Sequence, residues 1–436
     1  MDASSIPVFD ANSEFCQNLG LLKVAETATR QHGDHVVIRA SDVRDLYLLG
    51  GNDSIRYWKS HQGHFQTELG DIASNAAISR LLLGDWLDEP EHREVWMATG
   101  NRLAAVAEVW DGWFHDALVA ACRSFLADIP AGGQAVDLRG LCRMWSIRAV
   151  CPVLFGPALG DEEMADGLLR IEEFYFAMST RDPSQTASPE SMAEFQAARN
   201  FLDRVVEAAL TVSTPGDGTV VAWIAEAVPA GLSIADRVAC LRPTLGRMLL
   251  EKLNIDGLGL LWTLVHLAQD PTLADEVAAE LDGRDIFGLP DQASPLAWSV
   301  VQEGQRLYPE LPFIYRITSQ AVTLGPVTVP ARATVLFAPW LVHRDPRYWA
   351  APQQFCGRRF LDRSIDTGHY LPFGVGPRIR ARARFILHQL TIAVRAICTT
   401  HRMALAPNCR PGNLRPVLRS TLAPRGPVPV IFTPRA

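Results

Sequence analysis

Several side chains are spaced for chemistry. Glu303 and Arg306 stand three residues apart in Glu303-Gly304-Gln305-Arg306, so on a helix they share a face and can pair. If buried, that pair needs further partners to offset its desolvation. Arg378, Arg380, Arg382 and Arg384 alternate along the chain. They form either a patch for an acidic group or partner, or a solvated loop leading into a helix. Asp85, Asp88 and Glu89 make a DxxDE string, which fits a Mg²⁺-diphosphate contact or, more simply, a solvated loop. The eight cysteines include no CxxC pair, so neither a zinc site nor a dense disulfide framework is expected. Cys356 reads as a small buried hydrophobe.

The elements that must position these groups are mostly helices. Leu258, Leu261 and Val265 repeat at helical spacing, with Leu260, Leu264 and Leu267 beside them, so a helix buried on most sides is expected there. It ends at Gln269, and Asp270-Pro271 supplies the cap and first turn of the next. Leu387, Leu390, Val394 and Ile397 make another ridge. Strands are expected at 35–39 and 334–337, with a hairpin of 322–324 against 327–329 around Gly325-Pro326. Loops are expected over 180–194 and 214–218. The class is mainly α (α+β), with many helices and short hairpins, read as one domain over 1–436.

Composition excludes other classes. The 436 residues are 48% hydrophobic and 20% charged, which argues against disorder. Acids outnumber bases, 48 to 41, which argues against nucleic-acid binding through bulk charge. No apolar run is long enough for a membrane span, and no signal peptide is evident, so a soluble, cytoplasmic protein is expected.

Four patterns occur in a telling order: LDEPEHREVW (87–96), the Glu303–Arg306 pair, HRDPRYW…FCGRRF (343–360) and FGVGPRIRARARF (373–385). Together they resemble the cytochrome P-450 superfamily, the heme-thiolate monooxygenases, over nearly the whole chain. The resemblance implies a structural triad of Glu303, Arg306 and Arg359. It implies propionate-binding positions at His92, Arg316 and Arg378, although Trp96 stands where the family has the arginine that accompanies His92. The family's FGxGxRxCxG loop is matched at Phe373, Gly374, Gly376 and Arg378. Its cysteine position, however, is Arg380, and its later glycine position is Arg382. A guanidinium has no lone pair for iron. The family's acid–alcohol proton relay in the central helix falls on Asn254 and Ile255, with Asp256 nearby. His369, four residues before Phe373, is compatible with an ordinary member and is no strong substitute ligand.

These departures point to a repurposed, noncanonical protein of secondary metabolism, with heme disfavoured and no metal expected. One reading is a heme-independent enzyme acting on a hydrophobic small molecule. Asn254 and Asp256 would supply polar groups, and Arg316, Arg378 and Arg380 would hold an anionic part. A second is an auxiliary partner of a glycosyltransferase or other biosynthetic enzyme. A third is a heme monooxygenase with an atypical ligand.

Overall fold

The computed structural model describes residues 6–11, 20–40, 43–66, 90–106, 110–179, 189–213, 218–251, 257–281, 283, 285–288, 294–324, 327–362, 367–375, 379–418 and 421–435. The chain begins with β1 (Val8–Asp10), α1 (Gly20–His32), β2 (His35–Ala40), β3 (Val43–Leu49), α2 (Gly51–Ser60) and β4 (Phe65–Gln66). A helical run follows: α3 (Pro90–Val106), α4 (Trp110–Ala127), the short β5 (Ala135–Asp137), α5 (Leu138–Phe155), α6 (Asp161–Ser179) and α7 (Pro189–Val212). It continues through α8 (Val220–Ala225), α9 (Ile234–Glu251), α10 (Leu258–Gln269), α11 (Pro271–Ala279) and α12 (Pro295–Leu307). Then come β6 (Ile314–Thr318), β7 (Val322–Leu324), β8 (Val327–Val329), β9 (Thr334–Phe337), α13 (Pro339–Val342) and α14 (Ile379–Thr400). Strands β10 (His401–Leu405), β11 (Pro416–Leu418), β12 (Leu422–Pro424) and β13 (Pro429–Pro434) close the chain.

The expected helices and hairpin form. Every apolar position named in α10 is buried, because this helix is wrapped by its neighbours. Asp270 accepts from the Leu273 N–H at 3.0 Å and Pro271 opens α11, so one residue ends α10 and starts the next helix. β7 and β8 pair antiparallel, with Leu324 opposite Val327.

One expectation is corrected. The loop expected over 180–194 gives way to helix from Pro189, which takes the first helical position with Glu190 in the first turn. The relay positions expected in the central helix, 254–256, lie outside the described residues, and the described α10 begins only at Leu258. Gly257 caps α10 with φ of 65°, a left-handed residue that fixes the start of this helix at Leu258.

The largest hydrophobic core runs from Phe114 to Phe432 and gathers α4, α5, α7, α9, α10, α12 and α14. Smaller clusters lie against the six-stranded sheet, ordered β1-β2-β3-β9-β6-β4. There β3 and β9 run parallel, Tyr47 opposite Val335, so segments almost 290 residues apart share a ladder. Further sheets are β10-β13-β5 and β11-β12.

Candidate functional site

Three of the expected residues meet in the interior. α12 places Glu303 and Arg306 on one face, both fully buried, and their guanidinium–carboxylate contacts are bidentate at 2.8 Å. The turn at Arg359–Leu361 brings in Arg359, whose Nε donates to both Glu303 oxygens at 3.0 Å. Its neighbour Arg358 turns outward to Glu276. One carboxylate cannot balance two guanidinium charges, and backbone carbonyls take the remaining N–H groups of Arg306 and one of Arg359. Arg306 donates to the carbonyls of His343 (2.5 Å), Pro352 (2.8 Å) and Gln354 (3.1 Å), and Arg359 to that of Ala350 (2.7 Å).

His343 completes this arrangement, and sequence reasoning missed it. Its Nδ1 lies 2.8 Å from the Arg306 carbonyl, and its Nε2 accepts from the Leu371 N–H at 2.8 Å. Nδ1 therefore carries the ring proton and the imidazole is neutral. Burial, then the Arg306 charge, holds its pKa well below the usual histidine range. The only sequence signal was its place at the head of HRDPRYW, which says nothing about both ring nitrogens being used.

The other expected residues fall apart in space or outside the described chain. Arg316 sits in β6, half-buried, and its Nη1 donates to the Tyr315 carbonyl at 2.7 Å. His92 lies in the first turn of α3, but its side chain is outside the described residues. Trp96 is half-buried one turn on. Asn254, Ile255, Asp256 and Arg378 lie outside the described residues, as do Asp85, Asp88 and Glu89. Position 380 falls in the first turn of the 22-residue α14. The alternating arginines do not form one stripe there. At about 100° per residue, positions 380 and 384 share a face and 382 lies on the opposite one.

The donor set decides whether a thiolate-ligated heme fits at the head of α14. No cysteine occurs between Cys356 and Cys398. Cys356 is exposed, contrary to the buried position expected, because it stands in the turn where its N–H donates to Glu303 at 2.9 Å. Cys398 is buried near the other end of α14, about 27 Å along the axis from position 380. Burial pushes its thiol, like those of Cys122 and Cys151, up to about 12. Among histidines, both nitrogens of His343 are engaged. His369 stacks on Tyr348 at 3.8 Å and bonds Asn52 at 3.1 Å. The described residues therefore do not fit a heme thiolate. What the head of α14 does offer is the positive end of a long helix, with positions 380 and 382 in its first turn. Among the described residues, no group of three or more His, Cys, Asp or Glu is placed to hold a metal ion. No described helix is long and apolar enough to cross a membrane.

The family model described as Cytochrome P450 matches residues 258–400, which span α10 through α14. Sterol 26-hydroxylase, mitochondrial, of Oryctolagus cuniculus is 23% identical over 96% of this chain and 79% of its own length. Cytochrome P450 3A40 of Oryzias latipes is 30% identical over 180 residues, which are 39% of this chain and 36% of that protein. The match spans about a quarter to a third of the length of this and several similar relatives. A zebrafish cytochrome P450 structure with progesterone superposes with a TM-score of 0.75 at 18% identity, over 96% of this chain and 100% of that one. The buried Glu303–Arg306–Arg359 cluster, the order of helices and sheets, and these likenesses agree: this chain has the fold of the cytochrome P450 superfamily.

Proposed function

We propose that this cytochrome P450-like protein is a heme-independent, non-redox biosynthetic enzyme acting on a hydrophobic intermediate. The observation that carries the reading is the run of sequence from 357 to 397 without a cysteine, with Arg380 at the head of α14. A positive charge stands where the fold's usual chemistry needs a thiolate. Position 380 then binds rather than activates. Arg378, Arg380 and Arg316 hold an anionic part of the substrate by charge-assisted hydrogen bonds. Asn254 and Asp256, just ahead of Gly257, supply polar and acid/base groups. Catalysis rests on shape, orientation and electrostatic steering in an apolar space. The relatives' names add that proteins of this fold handle apolar molecules: one is a sterol hydroxylase, and one neighbour was solved with progesterone.

The test is the absorption spectrum of protein expressed with ample heme, reduced under carbon monoxide. No bound heme is expected. A Soret band near ~450 nm, the thiolate signature, overturns the proposal in favour of an ordinary monooxygenase. Arg380→Cys should then recover heme binding. Turnover by the isolated chain supports an enzyme, and inactivity except beside a co-purifying glycosyltransferase points to an auxiliary role.

A further inference from the structure

Charge is unevenly spread along the chain. From Thr367 to Ala436 there are eleven arginines and no lysine, aspartate or glutamate, in a chain whose total is −7. After α14 the described arginines fall into two groups. Arg402 and Arg435 share Asp275 of α11, at 3.3 and 2.6 Å. Arg410, Arg415 and Arg425 are exposed, and among the described residues they have no ion pair and no side-chain hydrogen bond.

These three arginines stand on one rigid frame. The β11–β12 ladder reaches Pro416 opposite Pro424. One step beyond, the Arg425 N–H donates to the Arg415 carbonyl at 2.9 Å, so the two residues face each other at the base of the hairpin. Arg410 enters the tight turn Pro411–Leu414, and its carbonyl accepts from the Asn413 N–H at 2.9 Å. Asn413 then clasps the other strand, its Nδ2 donating to the Pro427 carbonyl at 2.9 Å. The clasp is close: a Cβ on Gly426 would lie 2.8 Å from Asn413 Oδ1. Like charges directly opposite each other on a ladder oppose folding. The adjoining α1, which packs against β11, supplies no spare acid, since its one carboxylate, Glu26, is taken by Lys23 and Trp340 Nε1. The repulsion therefore has no counterpart within the described chain, and a fixed set of guanidinium forks is left facing outward.

A guanidinium fork matches a carboxylate in two parallel hydrogen bonds, and a rigid frame lowers the entropy lost on binding. No described large apolar residue of 401–435 is exposed, so nothing here enters a bilayer, and three charges alone hold a lipid surface weakly. A nucleic acid or other long polyanion also meets the acidic remainder of the chain. A short acidic segment meets this face alone. We propose that the face formed by Arg410, Arg415 and Arg425 docks an acidic peptide segment of a partner protein, its carboxylates on the guanidinium forks. The inference stands whatever occupies the head of α14.

The experiment titrates the full chain against fluorescein-labelled octaglutamate and octaglutamine by anisotropy, at about 30 mM salt. Octaglutamate should bind at least about tenfold more tightly, with the advantage shrinking as salt rises. Replacing Arg410, Arg415 and Arg425 together by Gln should weaken octaglutamate at least about fivefold, and Arg415→Gln alone should give a smaller loss of the same sign. Since these changes relieve repulsion, the thermal midpoint should not fall. A control with Arg39→Gln, Arg204→Gln and Arg358→Gln removes the same charge from exposed arginines elsewhere and should keep the affinity within about twofold. Equal affinity for the two peptides, or an equal loss in both triple variants, overturns the proposal. Binding to phosphatidylglycerol vesicles but not to octaglutamate overturns it in favour of a lipid surface. A salt-sensitive dimer of the chain alone, lost in the first triple variant, overturns it in favour of a second copy.

Discussion

Glu303 holds the buried charges together, and its removal has a calculable direction. One carboxylate faces two guanidinium groups, that of Arg306 fully buried and that of Arg359 nearly so. Glu303→Gln keeps the shape and strips the charge, leaving Arg306 and Arg359 uncompensated. The expected loss is about 3–5 kcal/mol, read as a lowered urea midpoint. Arg358→Ala, one residue from the cluster but exposed, should change stability by well under about 1 kcal/mol. Arg380 should behave in the opposite sense. A cation in the first turn opposes the helix dipole, so Arg380→Ser is expected to stabilise α14 by about 0.3–1 kcal/mol. A clear loss of stability instead would show that this guanidinium is held by a carboxylate of the protein. The triad pair was legible because an i, i+3 charge pair is local. The opposed Arg415 and Arg425 were not, since spacing alone does not reveal which charges lack a partner.

Elements differ in how far their limits can be read from neighbouring residues. The junction of α10 and α11 is written in Asp270-Pro271 alone, and Asp270→Ala should cost about 1 kcal/mol by chemical denaturation, the usual worth of an N-cap. The start of α10 is not written locally. A glycine at 257 is visible in the sequence, but its left-handed φ and its contact with α5 are tertiary facts. A Cβ there would stand 2.1 Å from the Cys142 carbonyl oxygen. Gly257→Ala should therefore destabilise by at least about 2 kcal/mol, read by chemical denaturation. The β7–β8 hairpin was legible because its turn is short. The six-stranded sheet was not, since its β3–β9 ladder joins segments that no local pattern connects. The roles of Arg378 and Arg380 rest on family resemblance, because an arginine run reads alike on a loop or a helix.

For the whole molecule, the buried His343 and the half-buried His266 tie stability to pH. Burial holds His266 down to about 4, partly offset by Glu303, and holds His343 lower than usual as well. Both stay neutral in the folded chain, while the unfolded chain takes up protons near pH 6.5. Their contribution is intact above that value and is lost as pH falls from about 6.5 toward 4. For His266 alone the loss is on the order of 3 kcal/mol, and urea midpoints at pH 7.5, 6 and 5 should fall in step. His266→Phe, which keeps the stack on Phe355, should flatten that slope. The same interior also fixes the chain that leads toward α14. Arg306 clasps three carbonyls of the segment after α13, and His343 fastens the Leu371 amide two residues ahead of Phe373. Every one of these fastenings begins and ends on polypeptide. The segment up to Leu371 is anchored much as a bridge deck is hung from its own towers. A substitution further along, at position 380, leaves all of these fastenings in place, so a folded chain is expected whichever residue stands there.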